Sequence, residues 1–233
     1  MKILLFLGLL AFANAQYSEL RHITLDAVEK VREVLPDYQN AQDVTINKLY
    51  ESKRKALGEL NSFYNQTLDL KANSLKSLMN AELDILSYGD SIEVWCWENN
   101  IPSLQGDMGW AGNKYSECIK QLDDSIEKDV AEIYGQFTES EAKIQKYKLL
   151  QVFFKPSNII SRPEPMADTI SKLKIDITND IPHFEDIIIR FVEDLHAKQF
   201  EYTCCLNDLL KEFNNKMETL RSRSEICLKS QKI

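Results

Sequence analysis

Five cysteines are the residues whose type and spacing point most directly to chemistry: Cys96, Cys118, Cys204, Cys205 and Cys227. That chemistry is thiol oxidation. Cys96 to Cys118 reads Cys-x21-Cys, and so does Cys205 to Cys227. The residue numbers of the outer two have the same sum as those of the inner two. Residues that face each other across an antiparallel hairpin share a constant sum, so the pattern predicts two nested bridges, Cys96–Cys227 and Cys118–Cys205. The centre of symmetry falls between Ser161 and Arg162, in the Pro-rich run from Lys155 to Pro165, where a helix has to end. If Cys205 and Cys227 share one helix, they lie ~33 Å apart along its axis. Bridged cysteines need Cα atoms within about 7 Å, so each must find its partner in the other pair. The same separation turns through ~40° net, which leaves both on one side of the helix. The competing arrangement is a local Cys96–Cys118 bridge closing a Gly-rich loop. It would strand Cys205 and Cys227, which is costly in an oxidising compartment. Cys204 is left over, either as a free thiol or as the site of an intermolecular bond.

Little else has catalytic spacing. His22, His183 and His196 stand far apart and form no HxxxH, HExxH or CxxC…HxxxH pattern. They are expected to be ordinary helix residues, and Cys204-Cys205 lacks metal-spaced neighbours. The chain has no Gly-x-Ser-x-Gly elbow, phosphate loop or dinucleotide fingerprint. Acidic pairs such as Asp123-Asp124 and Glu185-Asp186 are expected on solvated helix faces. The expectation is therefore a protein that is not an enzyme and needs no cofactor and no metal.

The elements that must position the cysteines begin with an export signal. Met1-Lys2 is followed by an apolar run from Ile3 to Phe12 and then Ala13-Asn14-Ala15, the layout of a secretory signal peptide over residues 1–15. The run is too short to span a bilayer, and no other stretch approaches the ~20 apolar residues of a membrane span. The expected mature chain is secreted and extracellular, a compartment in which disulfides persist. The net charge of −8 disfavours nucleic acid and anionic membranes as partners.

Only 7 Gly and 6 Pro occur in 233 residues, and β-branched alternation is nearly absent, which predicts an all-α fold. Apolar spacings of three and four predict helices at about 19–35, 41–87, 114–154, 166–181 and 184–228, forming a single all-helical domain over residues 16–233. Pro36 is expected to end the first helix, Tyr88-Gly89-Asp90 the second, and Pro182 to interrupt or kink the chain before the last. Ile119, Leu122, Ile126, Val130, Ile133 and Phe137 make a stripe only about 80° wide, as in a coiled-coil seam. The architecture expected is an elongated helical bundle, or an antiparallel coiled-coil-like hairpin stapled by disulfides. The sequon Asn65-Gln66-Thr67 places Asn65 almost opposite the stripe of Leu60, Phe63 and Leu70, on a solvent face that suits a glycan.

Between the second and third helices lie Trp95, Trp97, Pro102, Gly106, Gly109, Trp110 and Gly112. One reading is a binding loop with aromatic anchors at Trp95, Trp97 and Trp110. The other is a cap whose indoles cover the open end of the bundle, since a loop tied down at Cys96 needs apolar packing around it.

Trp95-Cys96-Trp97, Ile101-Pro102 and Tyr115-Ser116-Glu117-Cys118-Ile119 resemble the Cys-aromatic … Tyr-x-x-Cys block of the tsetse EP-protein-like family of secreted insect proteins. The similarity covers the middle and end of the mature chain, which lacks the Glu-Pro repeat tail of the family's name. It implies secretion and a helical fold, with no catalytic residues to carry over.

The function expected on these grounds is that of a secreted, disulfide-stapled helical glycoprotein with a non-catalytic binding or structural role. The alternative is an extracellular carrier of a small apolar ligand held between the helices. The partner is accordingly an unknown protein or an apolar ligand, with self-association through helix seams or Cys204 as a further expectation.

Overall fold

A computed structural model describes residues 2–148, 164–179, 181 and 183–230, with side chains from Leu25 onward. The described elements are four helices: α1 (Lys2–Leu86), α2 (Val94–Lys146), α3 (Glu164–Asn179) and α4 (Phe184–Ser230). The all-α expectation holds. The Pro-rich hairpin centre at Ser161-Arg162 lies outside the described residues, as does Pro182.

Several helix boundaries differ from the sequence reading: α1 begins at Lys2 rather than about residue 19, and α2 ends at Lys146 rather than about residue 154. Two further differences bear on the packing. Pro36 does not end the first helix, because α1 runs through it. The ring's fixed φ is compatible with helix, and its cost is a lost hydrogen bond and a crowded carbonyl at Arg32. The residues just beyond it offset that cost. Tyr38 is fully buried and donates its hydroxyl hydrogen to the Tyr147 carbonyl, and Asp37 pairs with Lys174 at 2.8 Å. The second correction is the stretch from Trp95 to Gly112, which is not a loop. α2 begins at Val94 and contains Pro102. The core stripe explains why. Cys96, Asn100, Leu104, Ala111 and Cys118 are all buried, at spacings of four, four, seven and seven, so one helical face continues unbroken into Leu122 and Ile126.

The turn at Tyr88-Gly89-Asp90 is where the sequence puts it. The Ser87 amide donates to the Leu83 carbonyl at 3.0 Å and the Gly89 amide to Leu86 at 2.9 Å, tightening the end of α1. α2 then starts where the Cys96 and Trp97 amides donate to the Glu93 carbonyl at 3.0 and 3.1 Å. Gly89 is needed here. A Cβ on it would lie 3.0 Å from Trp97 Cζ2 and 3.1 Å from the Leu86 carbonyl oxygen.

The chain forms two compact units, each drawn from separated stretches. One comprises Met1–Arg54 and Tyr134–Asp186. Its core includes Tyr38, Leu49, Phe137, Ile144, Ile170, Ile177 and Phe184. The Phe137 and Phe184 rings lie tilted with centroids 6.4 Å apart, and Lys53 pairs with Glu141 at 2.7 Å.

The other unit comprises Lys55–Ile133 and Ile187–Ile233. Here parts of α1, α2 and α4 pack as three helices. α2 and α4 are antiparallel, since bonded partners rise on one helix as they fall on the other: Cys96 with Cys227, Asp107 with Lys216, Cys118 with Cys205, Asp129 with Lys198. α1 runs parallel to α4, through Gln66 to Gln199 at 2.7 Å and Asp84 to Arg221 at 3.0 Å. The core between them holds Phe63, Leu78, Ile85, Leu104, Ala111, Ile126, Leu206, Phe213 and Leu220. Ile85 completes the buried α1 stripe, and Leu86 beside it is exposed.

Candidate interaction surfaces on the stapled unit

The cysteine pairing is the one the sequence predicts. Cys96 bonds Cys227 with Cα atoms 6.4 Å apart, and Cys118 bonds Cys205 at 5.9 Å. Both bridges lie in the stapled unit and both fix the same register. Between them Asn100, buried on α2, donates to the Ser224 hydroxyl on α4 at 3.3 Å. A polar pair in an apolar seam resists axial sliding, because either group shifted by one turn would lose its partner while still buried. Cys204 is exposed and unbridged.

The three tryptophans separate into different roles. Trp97 is half-buried and rests against Gly89, closing the turn between α1 and α2. Trp110 is also half-buried. Lys216 stands 4.8 Å above its ring and pairs with Asp107 at 3.1 Å, so a cation held by a carboxylate covers one indole face. Trp95 alone is left 59% exposed, with only its indole N–H bonded, to the Glu93 carboxylate. Its neighbour Val94 and Ile226, next to Cys227, are also exposed. The outer bridge therefore has exposed apolar side chains beside both of its cysteines. The tryptophans thus include two packing residues and one exposed residue.

A cleft of about 80 Å³ lies beside the inner bridge, lined by Cys118, Leu122, Ser125, Lys198, Tyr202 and Cys205. Small-molecule sites run from ~300 Å³ upward, so this cleft admits water and not a lipid or pigment. The Tyr202 hydroxyl is buried with no hydrogen-bond partner. Burial, with smaller contributions from Tyr115 and Asp123, raises its pKa well above the usual 10.0. The folded state thus favours the neutral phenol. That contribution to stability is complete below about pH 10 and is lost as the pH climbs through the raised value. Asp129 pairs with Lys198 at 2.8 Å, yet its Oδ2 forms no well-aligned hydrogen bond, so the contact is an ion pair held by charge.

Asn65 is exposed, as the sequon reading requires, while Thr67 is buried and donates to the Tyr64 carbonyl at 3.0 Å. Among the described residues, no three His, Cys, Asp or Glu side chains are grouped to hold a metal ion, and no helix is long and apolar enough to cross a membrane.

One feature escaped the sequence reading altogether. α1 carries a second apolar stripe, and it faces solvent: Leu57, Tyr64, Leu68, Leu75, Met79 and Leu86 are 40–62% exposed. At ~100° per residue they cluster about 100° round the helix from the buried stripe. Their spacings of seven, four, seven, four, seven were the available signal.

No protein-family model matches the chain, and neither curated proteins nor solved structures show a significant match to it.

Proposed function

We propose that the chain is an exported, disulfide-stapled helical glycoprotein whose role is non-catalytic binding, with a protein partner meeting the Trp95 end of the stapled unit. The observation that carries this reading is Trp95 itself, exposed beside the Cys96–Cys227 bridge while the other two indoles are packed away. A large apolar ring on a backbone held by a covalent bond loses little freedom on binding, and tryptophan is the side chain most enriched at binding hot spots. Export is supported by the Met1–Ala15 leader pattern and by two bridges of the kind that persist outside the reducing cytosol. The exposed Asn65 supports a glycan. The similarity of Trp95-Cys96-Trp97 and Tyr115-x-x-Cys118 to tsetse EP-like proteins is consistent with a secreted insect source.

The test begins with the protein purified from its secreting tissue. N-terminal sequencing should start at Gln16, and glycosidase treatment should lower the mass at Asn65. Whatever protein co-purifies should lose at least tenfold in affinity for Trp95→Ala and keep it for Ser62→Ala, a surface change on α1. Equal binding by Trp95→Ala would remove the Trp95 site.

A further inference from the structure

Within the stapled unit, the exposed stripe on α1 from Leu57 to Leu86 is self-complementary; Tyr50, exposed on the same side seven residues earlier, belongs to the other unit. Taken in pairs from its ends, Leu57 with Leu86, Tyr64 with Met79 and Leu68 with Leu75, the residue numbers share one constant sum. Two antiparallel copies of this helix, centred between Lys71 and Ala72, would therefore set every member of the stripe against another member. Such a match is the condition for a twofold, isologous interface. A pair of opposite charges on one flank of the stripe lies close to the same twofold, offset from it by two residues, or ~3 Å along the axis. Asp69 and Lys76 are exposed on the same flank of α1, ~20° apart around the axis. In an antiparallel pair related by a twofold, each flank meets its own counterpart, so Asp69 of one copy comes within about one turn of Lys76 of the other, twice over. A parallel pair would stack Tyr64 on Tyr64 and Met79 on Met79 and would not bring Asp69 to Lys76. The small Ala72 sits beside the twofold, where two helices must approach closely.

We propose that this face of α1, from Leu57 to Leu86, is the seam of an antiparallel homodimer. The seam is about 45 Å long. Its six half-exposed side chains from each copy would bury on the order of 1,000 Å² together, the lower limit of a specific interface, before the flanking groups are counted. Asn65 lies at the rim, ~70° from the middle of the stripe, so a glycan there would flank the seam. Neither Trp95 nor Cys204 is a member of the stripe, so substitutions there test the dimer and the binding role proposed above separately.

Sedimentation equilibrium of the secreted full chain, carrying Cys204→Ser to exclude a thiol-linked pair, should give a dimer at micromolar concentration. The variant Leu68→Glu/Leu75→Glu should weaken association at least a hundredfold with an unchanged helical circular dichroism spectrum, because both side chains are exposed in the monomer. Asp69→Lys should weaken it severalfold, and the swap Asp69→Lys/Lys76→Asp should restore it. For the register, a mixture of Leu57→Cys and Leu86→Cys chains should form a mixed disulfide, whereas Leu57→Cys alone should not cross-link. A chain that stays monomeric at ~100 µM would overturn the proposal, as would efficient self-linking of Leu57→Cys. A chain that dimerises only as Asn65→Gln would assign the face to the glycan and overturn the second copy as its occupant.

Discussion

The two units solve the same problem, holding long helices in register, by different means. The stapled unit does it covalently. Cys96–Cys227 and Cys118–Cys205 lock α2 to α4, and the apolar layers between them fall in line. The unit formed by Met1–Arg54 and Tyr134–Asp186 has no bridge among its described residues and relies on a few placed side chains. Tyr38 bonds to the Tyr147 carbonyl, Lys53 to Glu141 and Lys174 to Asp37. The ion pairs are partly exposed and individually weak. The difference teaches where stability should be sensitive to redox conditions and where it should depend on one buried ring.

The largest effect should come from breaking the covalent half of that contrast. The bridges span 131 and 87 residues, so each contributes about 4–5 kcal/mol in the loop-entropy model and ~2–4 in typical measurements. Cys118→Ser/Cys205→Ser should thus lower hydrogen-exchange protection of Leu104–Ile126 and Leu206–Leu220 by about that amount, while amides around Tyr38 and Ile144 keep theirs. Equal losses in both regions would show that the two units unfold as one.

Tyr38→Ala attacks the other half. Removing a fully buried aromatic costs about 3–5 kcal/mol, here with the loss of the bond that steadies α1 beyond Pro36. Exchange should accelerate from Leu25 to Leu49 and around Ile144, and the stapled amides should be spared. A Tyr38→Ala chain with unchanged protection near Pro36 would mean that the proline is carried by backbone propensity alone.

The smallest effect sharpens the picture inside the stapled unit. Gly106, Gly109 and Gly112 lie on the open side of α2, where a Cβ would meet nothing within 4 Å. Each Gly→Ala change should stabilise by about 0.5–1 kcal/mol, read as a rise in melting temperature. Gly89→Ala should do the reverse, since its Cβ would press on Trp97 and the Leu86 carbonyl.

Much of this architecture was legible in the chain. The matched Cys-x21-Cys spacings gave both bridges and the antiparallel sense of α2 and α4, because a constant sum is a geometric property of a hairpin. The break at Tyr88-Gly89-Asp90 was legible because turn residues cluster there. Pro36 and the Gly-rich run from Trp95 to Gly112 were misread for one shared reason. Local propensity was weighed above the apolar period that passes through both, and packing of Tyr38 in one case and of Cys96, Leu104 and Ala111 in the other outweighs it. The individual roles of the tryptophans could not be read from spacing, since they depend on Gly89 and Lys216, residues distant in sequence or across a turn. The outward stripe of α1 is masked in the sequence because each of its residues directly follows a position of the buried stripe, so the two merge into one broad apolar pattern.

The adjacency of Cys204 and Cys205 carries a consequence for how the nascent chain matures. Before collapse, both thiols are equally available to Cys118, and chain distance cannot choose between them. Joining Cys118 to Cys204 would turn α4 by about 100° and bring Tyr202, Leu206 and Leu209 off their core-facing side. Selection of the right sulfur is therefore made by the greasy side of the helix, and a chain oxidised too early must reshuffle before it can mature.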